Sequence, residues 1–348
     1  MTISIYEPRS MARALRQLPP AHTFLRQLCF RSEATYPSEK VDVDIQVGAR
    51  KVAPFVNPHG PGKVVDRAGF TTLTYTAPLV APKRPITVED IQTRLPGEHI
   101  YEGTDPVDRE AELLGRDLQE LDTMIVRRIE LMCRDAIVSS AIVVSGDDVS
   151  YTITFPRDAN LVKGTLAAAD RWDAATADIY AQILGWTLDM QRYGFISPNF
   201  LIMGSDVVEA FLATEKNQAK LNVLRMQLGQ IAPELRGNGS SYLGEFAGTG
   251  VDLWTYNEWY EDATGTTQPM IPAKGIVMGS TLARTELRYG AVAVKSGEGS
   301  DATIGMVRAA RVPESWVDRE PPVRWAKLSS RPLPVPIQNT YLTATVLV

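Results

Sequence analysis

From residue 105 onward the chain carries an apolar stripe too long for a small domain to absorb. Val107, Ala111, Leu114, Leu118, Leu121, Ile125, Ile129, Met132 and Ala136 recur at steps of three or four residues. That spacing keeps one face of an α-helix apolar along its whole length. Asp105 is a good N-cap and Pro106 suits the first helical position. Beyond Gly115 neither Gly nor Pro interrupts the stripe. At 1.5 Å per residue a helix of about 35 residues is about 50 Å long, more than the width of a small domain. Such a helix is a spine on which other elements lean.

The segment ahead of it is extended. Val41, Val43, Ile45 and Val47 alternate with Asp42, Asp44 and Gln46, the period of two of a half-buried strand. In residues 50–84, extended runs flank the turn-forming stretch Asn57-Pro-His-Gly-Pro-Gly62, which predicts a long hairpin. Its apolar residues are few and fall on both sides, so it needs another surface to lie on. Charge suggests which surface. Arg50, Lys51, Lys63, Arg67, Lys83 and Arg84 face Asp66 alone, a net +5. Residues 105–122 hold seven acids, among them Asp108, Glu110, Glu112, Asp117 and Glu120, against Arg109 and Arg116, a net −5. Acids in a first helical turn also suit the helix dipole, so part of this pattern is local. The remainder predicts that the hairpin, with Phe55 at its turn, docks on the acidic half-helix of another copy in a heterologous, ring-closing contact. Residues 1–32 form a second basic piece, with Arg9, Arg13, Arg16, Arg26 and Arg31 against Glu7. Pro19 and Pro20 divide it into helices expected over 10–18 and 22–30. It reads as an arm that grips a neighbour through Arg13, Arg16, Arg26 and Arg31.

The rest of the chain interleaves strands and helices without a regular βαβ rhythm, which makes the fold class α+β. Strands are expected at 149–155, 200–203, 251–256, 275–279 and 341–348. Helices are expected at 176–194, carrying Ile179, Ile183, Trp186 and Met190, and from Ser205, where Asp206 and Glu209 resemble a capping box. A Gly-rich loop (Gly237, Gly239, Gly244, Gly248, Gly250) and a Pro-rich segment over 313–336 complete the pattern. Hydrophobic residues at 44% and charged residues at 22% are ordinary for a globular chain of 348 residues, long enough for two lobes or for one with excursions.

Chemistry is sparsely supplied. His22, His59 and His99 form no HExxH or paired spacing, and no P-loop or Gly-Xaa-Ser-Xaa-Gly occurs. Gly297 and Gly299 lack the helix that a dinucleotide turn requires. Cys29 and Cys133 show neither CxxC nor zinc spacing and read as buried reduced thiols. No catalytic, cofactor-binding or metal-ligating residue is therefore expected. The alternative is a sugar site built on Glu258, Glu261 and Asp262 beside Trp254, Tyr256, Trp259 and Tyr260. A net charge of −5 argues against wrapping nucleic acid. The chain opens without a signal-peptide pattern, and its most apolar run, 136–144, is too short to cross a bilayer. Synthesis in the cytoplasm, without a membrane, is the expectation.

An ordered series of short matches resembles the phage lambda-type major head protein family. It comprises Phe24-Leu-Arg-Gln-Leu-Cys-Phe-Arg31, Tyr36-Pro-Ser-Glu-Lys-Val41, Ala53-Pro-Phe-Val-Asn-Pro58 with Gly62, Pro82-Lys83, and Arg94-Leu-Pro96. Gly279-Ser-Thr-Leu-Ala-Arg284, Arg288-Tyr-Gly290 and Pro313-Glu-Ser-Trp-Val317 continue it near the end of the chain. The likeness covers about 24–145 and 275–348. It implies the Hong Kong 97-type major capsid fold: an N-terminal arm (1–40), an extended loop with flanking strands (41–100, hairpin about 50–84), and a peripheral domain (101–160). The peripheral domain's spine helix would span about 105–145. An axial domain with a connecting segment (161–305) and a return to the peripheral sheet (306–348) would follow. It implies a virion capsid subunit, assembled in the host cytoplasm into hexamers and pentamers of an icosahedral head around double-stranded DNA that it does not bind sequence-specifically. Implied partners are a scaffolding protein, a portal protein at one vertex and, on many such heads, a decoration protein. An encapsulin-like compartment shell is the alternative on the same fold.

Overall fold

A computed structural model of the chain describes residues 23–45, 50, 52–59, 61–65, 69, 71–93, 106–146, 149–174, 176–214, 221–222, 234–235, 239–262, 265–296 and 303–347. The expected arm helix over 10–18 lies outside them. The spine helix spans Pro106–Val138, and Leu114, Leu118, Leu121, Ile125, Ile129, Met132 and Ala136 of its stripe are buried. It stops short of residue 145. Ser140 takes a positive φ of 55°, and Ala141–Gly146 then pairs antiparallel with Val149–Thr154. The β-branched run Ile142-Val143-Val144 suits that hairpin better than a further helical turn.

An eight-stranded mixed sheet forms the second lobe, with Phe200–Met203 at its centre. This strand runs parallel to Val251–Tyr256 and antiparallel to Gly275–Gly279, which in turn pairs with Leu342–Thr345. All four of its residues are buried, because the two faces of the sheet meet different cores. Phe200 and Ile202 join the core shared with the spine helix and the arm helix Phe24–Cys29. Leu201 and Met203 join the core under the helices Ile179–Tyr193 and Ser205–Leu212. Strand period alone divides them.

Several sequence expectations change here. The helix from Ser205 has Gly204 as N-cap and no capping box; the Ser205 hydroxyl bonds Asp206 instead. A capping box forms between Thr87 and Asp90, ahead of the short helix Val88–Gln92. The glycine-rich stretch contains a strand, Ser240–Phe246, with Gly244 (φ 133°) at its bulge. The Pro-rich segment holds two eight-residue strands, Val312–Arg319 and Pro322–Ser329, paired with each other, and the latter also with Lys83–Ile86. Pro313 sits on an edge strand and Pro322 opens its strand, positions where a missing N–H costs no ladder bond. The closing strand Leu342–Thr345 belongs to the large sheet rather than to the sheet beside the spine helix.

The hairpin stem pairs Lys40–Ile45 with Thr71–Thr76, in register from Lys40↔Thr76 to Ile45↔Thr71. Val41 and Val43 point into the core, while Asp42 and Asp44 accept the Thr74 and Thr72 hydroxyls at 2.5 and 2.6 Å. Lys83 and Arg84 lie beyond this stem, on the strand that joins the Pro322–Ser329 ladder.

Candidate functional site

Two surfaces stand out because the subunit leaves them apolar and uncovered. Residues 52–59 and 61–65 extend from the stem outside any strand or helix and are exposed throughout. Phe55 is fully exposed, and Val52 and Val64 are each 90% exposed. Asn57 Oδ1 accepts the His59 N–H at 3.1 Å, which shapes the turn between them. At the root, the Arg50 guanidinium lies 4.8 Å from the Phe195 ring centroid and donates to the Gln191 carbonyl, mooring the segment to the helix Ile179–Tyr193.

The second surface is a groove of about 450 Å³ between the spine helix, residues 78–82 and the strand Ala141–Gly146. Leu79, Met124 and Val143 line it and stay exposed, with Arg128 and Asp135 among its polar groups. Burial pushes the Asp135 carboxyl above the usual aspartate range, against the opposing pull of Arg134. Contiguous exposed apolar surface of this kind marks an interaction site.

Within the subunit the acidic half of the spine helix already meets cations, one of them, Arg84, from the predicted basic set. Arg84 donates to Asp117 at 2.8 Å and to Glu120 at 2.5 Å. Arg311 holds Asp122 at 2.6 Å, Arg324 bonds Glu110, and Arg116 bonds Glu112 at 2.6 Å. Arg84, Arg311 and Arg324 thus bind the segment 83–86 and the C-terminal strands to the acidic half of the spine helix. Lys83 stacks over the Trp325 ring at 4.7 Å, Arg26 bonds Glu33, and Arg31 donates to the Gln27 carbonyl at 3.2 Å. Lys63 and Asp108 are exposed. Lys51, Arg67, Arg13 and Arg16 lie outside the described residues.

The residues of the sugar-site alternative divide between core and surface. Trp254 and Tyr256 are buried in the core, whereas Glu258 and Glu261 are exposed, and Asp262 Oδ1 accepts the Thr266 N–H at 3.0 Å within a turn. Among the described residues no three His, Cys, Asp or Glu side chains gather so as to hold a metal ion, and no helix is long and apolar enough to cross a membrane.

A family model described as "Phage major capsid protein E" matches residues 7–346. The chain belongs to this capsid protein family. It is 26% identical over 321 residues to the major capsid protein of Enterobacteria phage phi80, covering 89% of each chain. To the major capsid protein of Escherichia phage lambda it is 22% identical over 338 residues, covering 95% of this chain and 96% of lambda's. In structure it resembles a prophage capsid protein from E. coli CFT073, with a TM-score of 0.70 at 16% identity over 99% of this chain and 100% of that one. A phage-related protein from Bordetella bronchiseptica RB50 follows at a TM-score of 0.54 and 9% identity, covering 97% and 96%. The fold is the Hong Kong 97-like capsid fold, and the chain is a structural subunit that self-assembles into the capsid of a tailed-phage virion.

In a capsid subunit, the joints between lobes matter as much as the outer surfaces, and sequence reasoning missed two of them. Glu130 is buried on the spine helix, in a second stripe formed with Val126, Cys133 and Ile137. A carboxylate at that spacing was the available signal. Arg157 crosses the end of the same helix, with bonds to the Ala136, Ile137 and Val138 carbonyls. No sequence pattern marks it.

Proposed function

We propose that copies of this chain close hexamers and pentamers into an icosahedral head around double-stranded DNA, the segment 50–65 of one subunit, exposed over 52–59 and 61–65, lying in the spine-helix groove of the next. The observation that carries this reading is Phe55. A phenylalanine fully exposed on a segment without a core of its own gains its burial only from another molecule. The groove beside Met124, Leu79 and Val143 offers the matching apolar surface. On this reading Lys51, Lys63 and Arg67, and Arg13, Arg16 and Arg31 of the arm, orient the contact, with Asp108 among the acids they would meet. Arg84, Glu110, Asp117 and Glu120 serve chiefly within the subunit.

The wider assignments follow the same reading. The arm, extended loop, peripheral and axial domains occupy about 1–40, 41–100, 101–160 and 161–305, and residues 306–348 return beside the spine helix before the last strand joins the large sheet. The excess of acids suits packaged DNA that lies against the shell without sequence-specific binding. A scaffolding protein during assembly, a portal protein at one vertex and a decoration protein outside are the partners such a head calls for.

The test is a cysteine pair, with Phe55→Cys and Val143→Cys in one chain; the native Cys29 and Cys133 are buried. Oxidised shells are expected to run as disulfide-linked ladders on non-reducing gels, and neither single variant should. In parallel, Phe55→Asp should abolish shells in electron micrographs while leaving the subunit's urea midpoint unchanged. Normal shells from Phe55→Asp would discard the docking, and a failure of the native chain to form shells under any condition would discard the capsid assignment itself.

A further inference from the structure

Three segments distant in sequence meet on one buried carboxyl. Glu130 of the spine helix is 2% exposed. Its Oε1 accepts the Leu25 N–H at 2.7 Å and the Tyr256 hydroxyl at 3.0 Å, and its Oε2 accepts the Arg26 N–H at 3.1 Å. Leu25 and Arg26 open the arm helix, whose N-cap Thr23 makes no side-chain cap, so Glu130 supplies the acceptors that the cap does not. Tyr256 ends a strand of the large sheet. The Phe24 ring, 5.5 Å from Trp254 and 5.1 Å from Tyr256, packs in the same junction.

All three donors to this carboxyl are neutral. The Arg26 guanidinium, the cation that faces it from the arm helix, bonds Glu33 instead. Cys29 from the arm helix and Cys133 from the spine helix also face Glu130, and burial pushes both thiols upward, so they stay uncharged. On the sheet side, Tyr256 is likewise pushed up by burial and then by Glu130 and Glu258. An ionised Glu130 would therefore be a buried charge without a bonded cation, a costly state that a proton removes.

We propose that Glu130 is a proton-operated lock on the N-terminal arm: the joint of arm helix, spine helix and large sheet holds most firmly when this carboxyl is protonated. Burial pushes its pKa above the ordinary 4.5, outweighing the lowering effect of its three hydrogen bonds and of Arg26. A raised carboxyl pKa means that the closed joint keeps a proton the opened joint releases. The stabilisation is thus fully present below 4.5 and is lost as pH rises through the raised value. The lock goes beyond the groove contact proposed above and does not depend on it.

Hydrogen exchange of the unassembled full-length subunit tests this, followed by mass spectrometry on peptides covering the arm helix and corrected for intrinsic exchange. Through the window the opening constant should rise by up to tenfold per pH unit, the limit for one proton, and then level off. Glu130→Gln, neutral and nearly isosteric, should abolish that slope. An opening constant independent of pH in the native chain, or the same slope in Glu130→Gln, would overturn the lock. Infrared spectroscopy covers the case in which the variant does not fold. In the Asp135→Asn background, which removes the other carboxyl raised by burial among the described residues, a protonated-carboxyl band should persist above pH 4.5, and its absence would equally overturn the lock.

Discussion

Replacing Arg157 by methionine should loosen the end of the spine helix and with it the joint to the large sheet. The last carbonyls of any α-helix lack intrahelical partners, and here one side chain collects three of them. Arg157 Nη1 donates to the Val138 carbonyl at 3.2 Å and to Thr343 Oγ1 at 3.4 Å, and Nη2 reaches the Ala136 carbonyl at 3.5 Å and that of Ile137. Nε donates to Asn339 Oδ1 at 3.2 Å, so the helix end is tied to the chain entering the strand Leu342–Thr345. Among the described residues no carboxylate pairs with this guanidinium; the negative end of the helix dipole is the counter-charge on offer. Burial lowers its pKa to about 10, still well above neutrality, so the charge persists at pH 7. Methionine keeps an apolar stem and removes every donor. Stranding a buried acceptor costs about 1–3 kcal/mol, and the dipole interaction adds about 0.3–1 kcal/mol. The longer contacts are weak and partly rescued by water, so about 3 kcal/mol in all is expected. Urea denaturation of the unassembled subunit should show a lower midpoint at unchanged slope. Exchange protection should fall most at 135–138. Arg157→Lys, a point charge unable to span the same carbonyls, should recover less than half of the loss. A methionine variant within about 0.5 kcal/mol of the native chain, the range of an ordinary surface change, would refute this account of the clamp.

Two further outcomes are expected. Arg84→Ala leaves Asp117, 8% exposed, without its cation, and should cost about 1–2 kcal/mol after discounting for the solvent reaching Arg84; a double-mutant cycle with Asp117→Asn should show coupling, and a value of zero would reject it. Gly279→Ala and Gly115→Ala should move the melting temperature in opposite directions. A Cβ at Gly279 would stand 2.5 Å from Phe200 Cζ and 2.7 Å from Tyr341 Cδ1, an overpacking worth about 2 kcal/mol or more, whereas at Gly115 on the spine helix it meets nothing within 4 Å and should stabilise by about 0.5–1 kcal/mol. Equal shifts would contradict the packing.

The spine helix was legible because its stripe holds nine apolar residues at steps of three or four, about eight turns. Its end was not, because apolar residues resume at Ala141 to Val144 after Ser139 and Ser140 while the period changes, and the clamp on the helix end comes from Arg157 and the C-terminal segment. The segment over 313–336 read only as Pro-rich, yet edge and opening positions let Pro313 and Pro322 sit in strands. The opposite charges of hairpin and helix were visible as a pattern, but a count of charges carries no address. Arg84 sits on a strand of the same subunit within 2.8 Å of Asp117, and no feature of the sequence distinguishes that from a contact between copies.

That difference of address separates what folds the subunit from what joins subunits. Glu110, Asp117, Glu120 and Asp122 bind Arg324, Arg84 and Arg311, so reversing these charges should act first on folding, because it loosens the strands from their own spine helix. Phe55, Val52 and Val64 contribute little to the isolated chain, since each is at least 90% exposed there, and Leu79 and Val143 keep half or more of their surface uncovered. Magnitudes point the same way. An exposed ion pair contributes under about 1 kcal/mol, while burying one phenylalanine side chain contributes about 1.5–3 kcal/mol. On the docking proposed above, the apolar term repeated around a ring of subunits would outweigh the charged one. On the same docking, the exposed Lys63 would help steer the approach, and salt should slow assembly more than it weakens the finished shell.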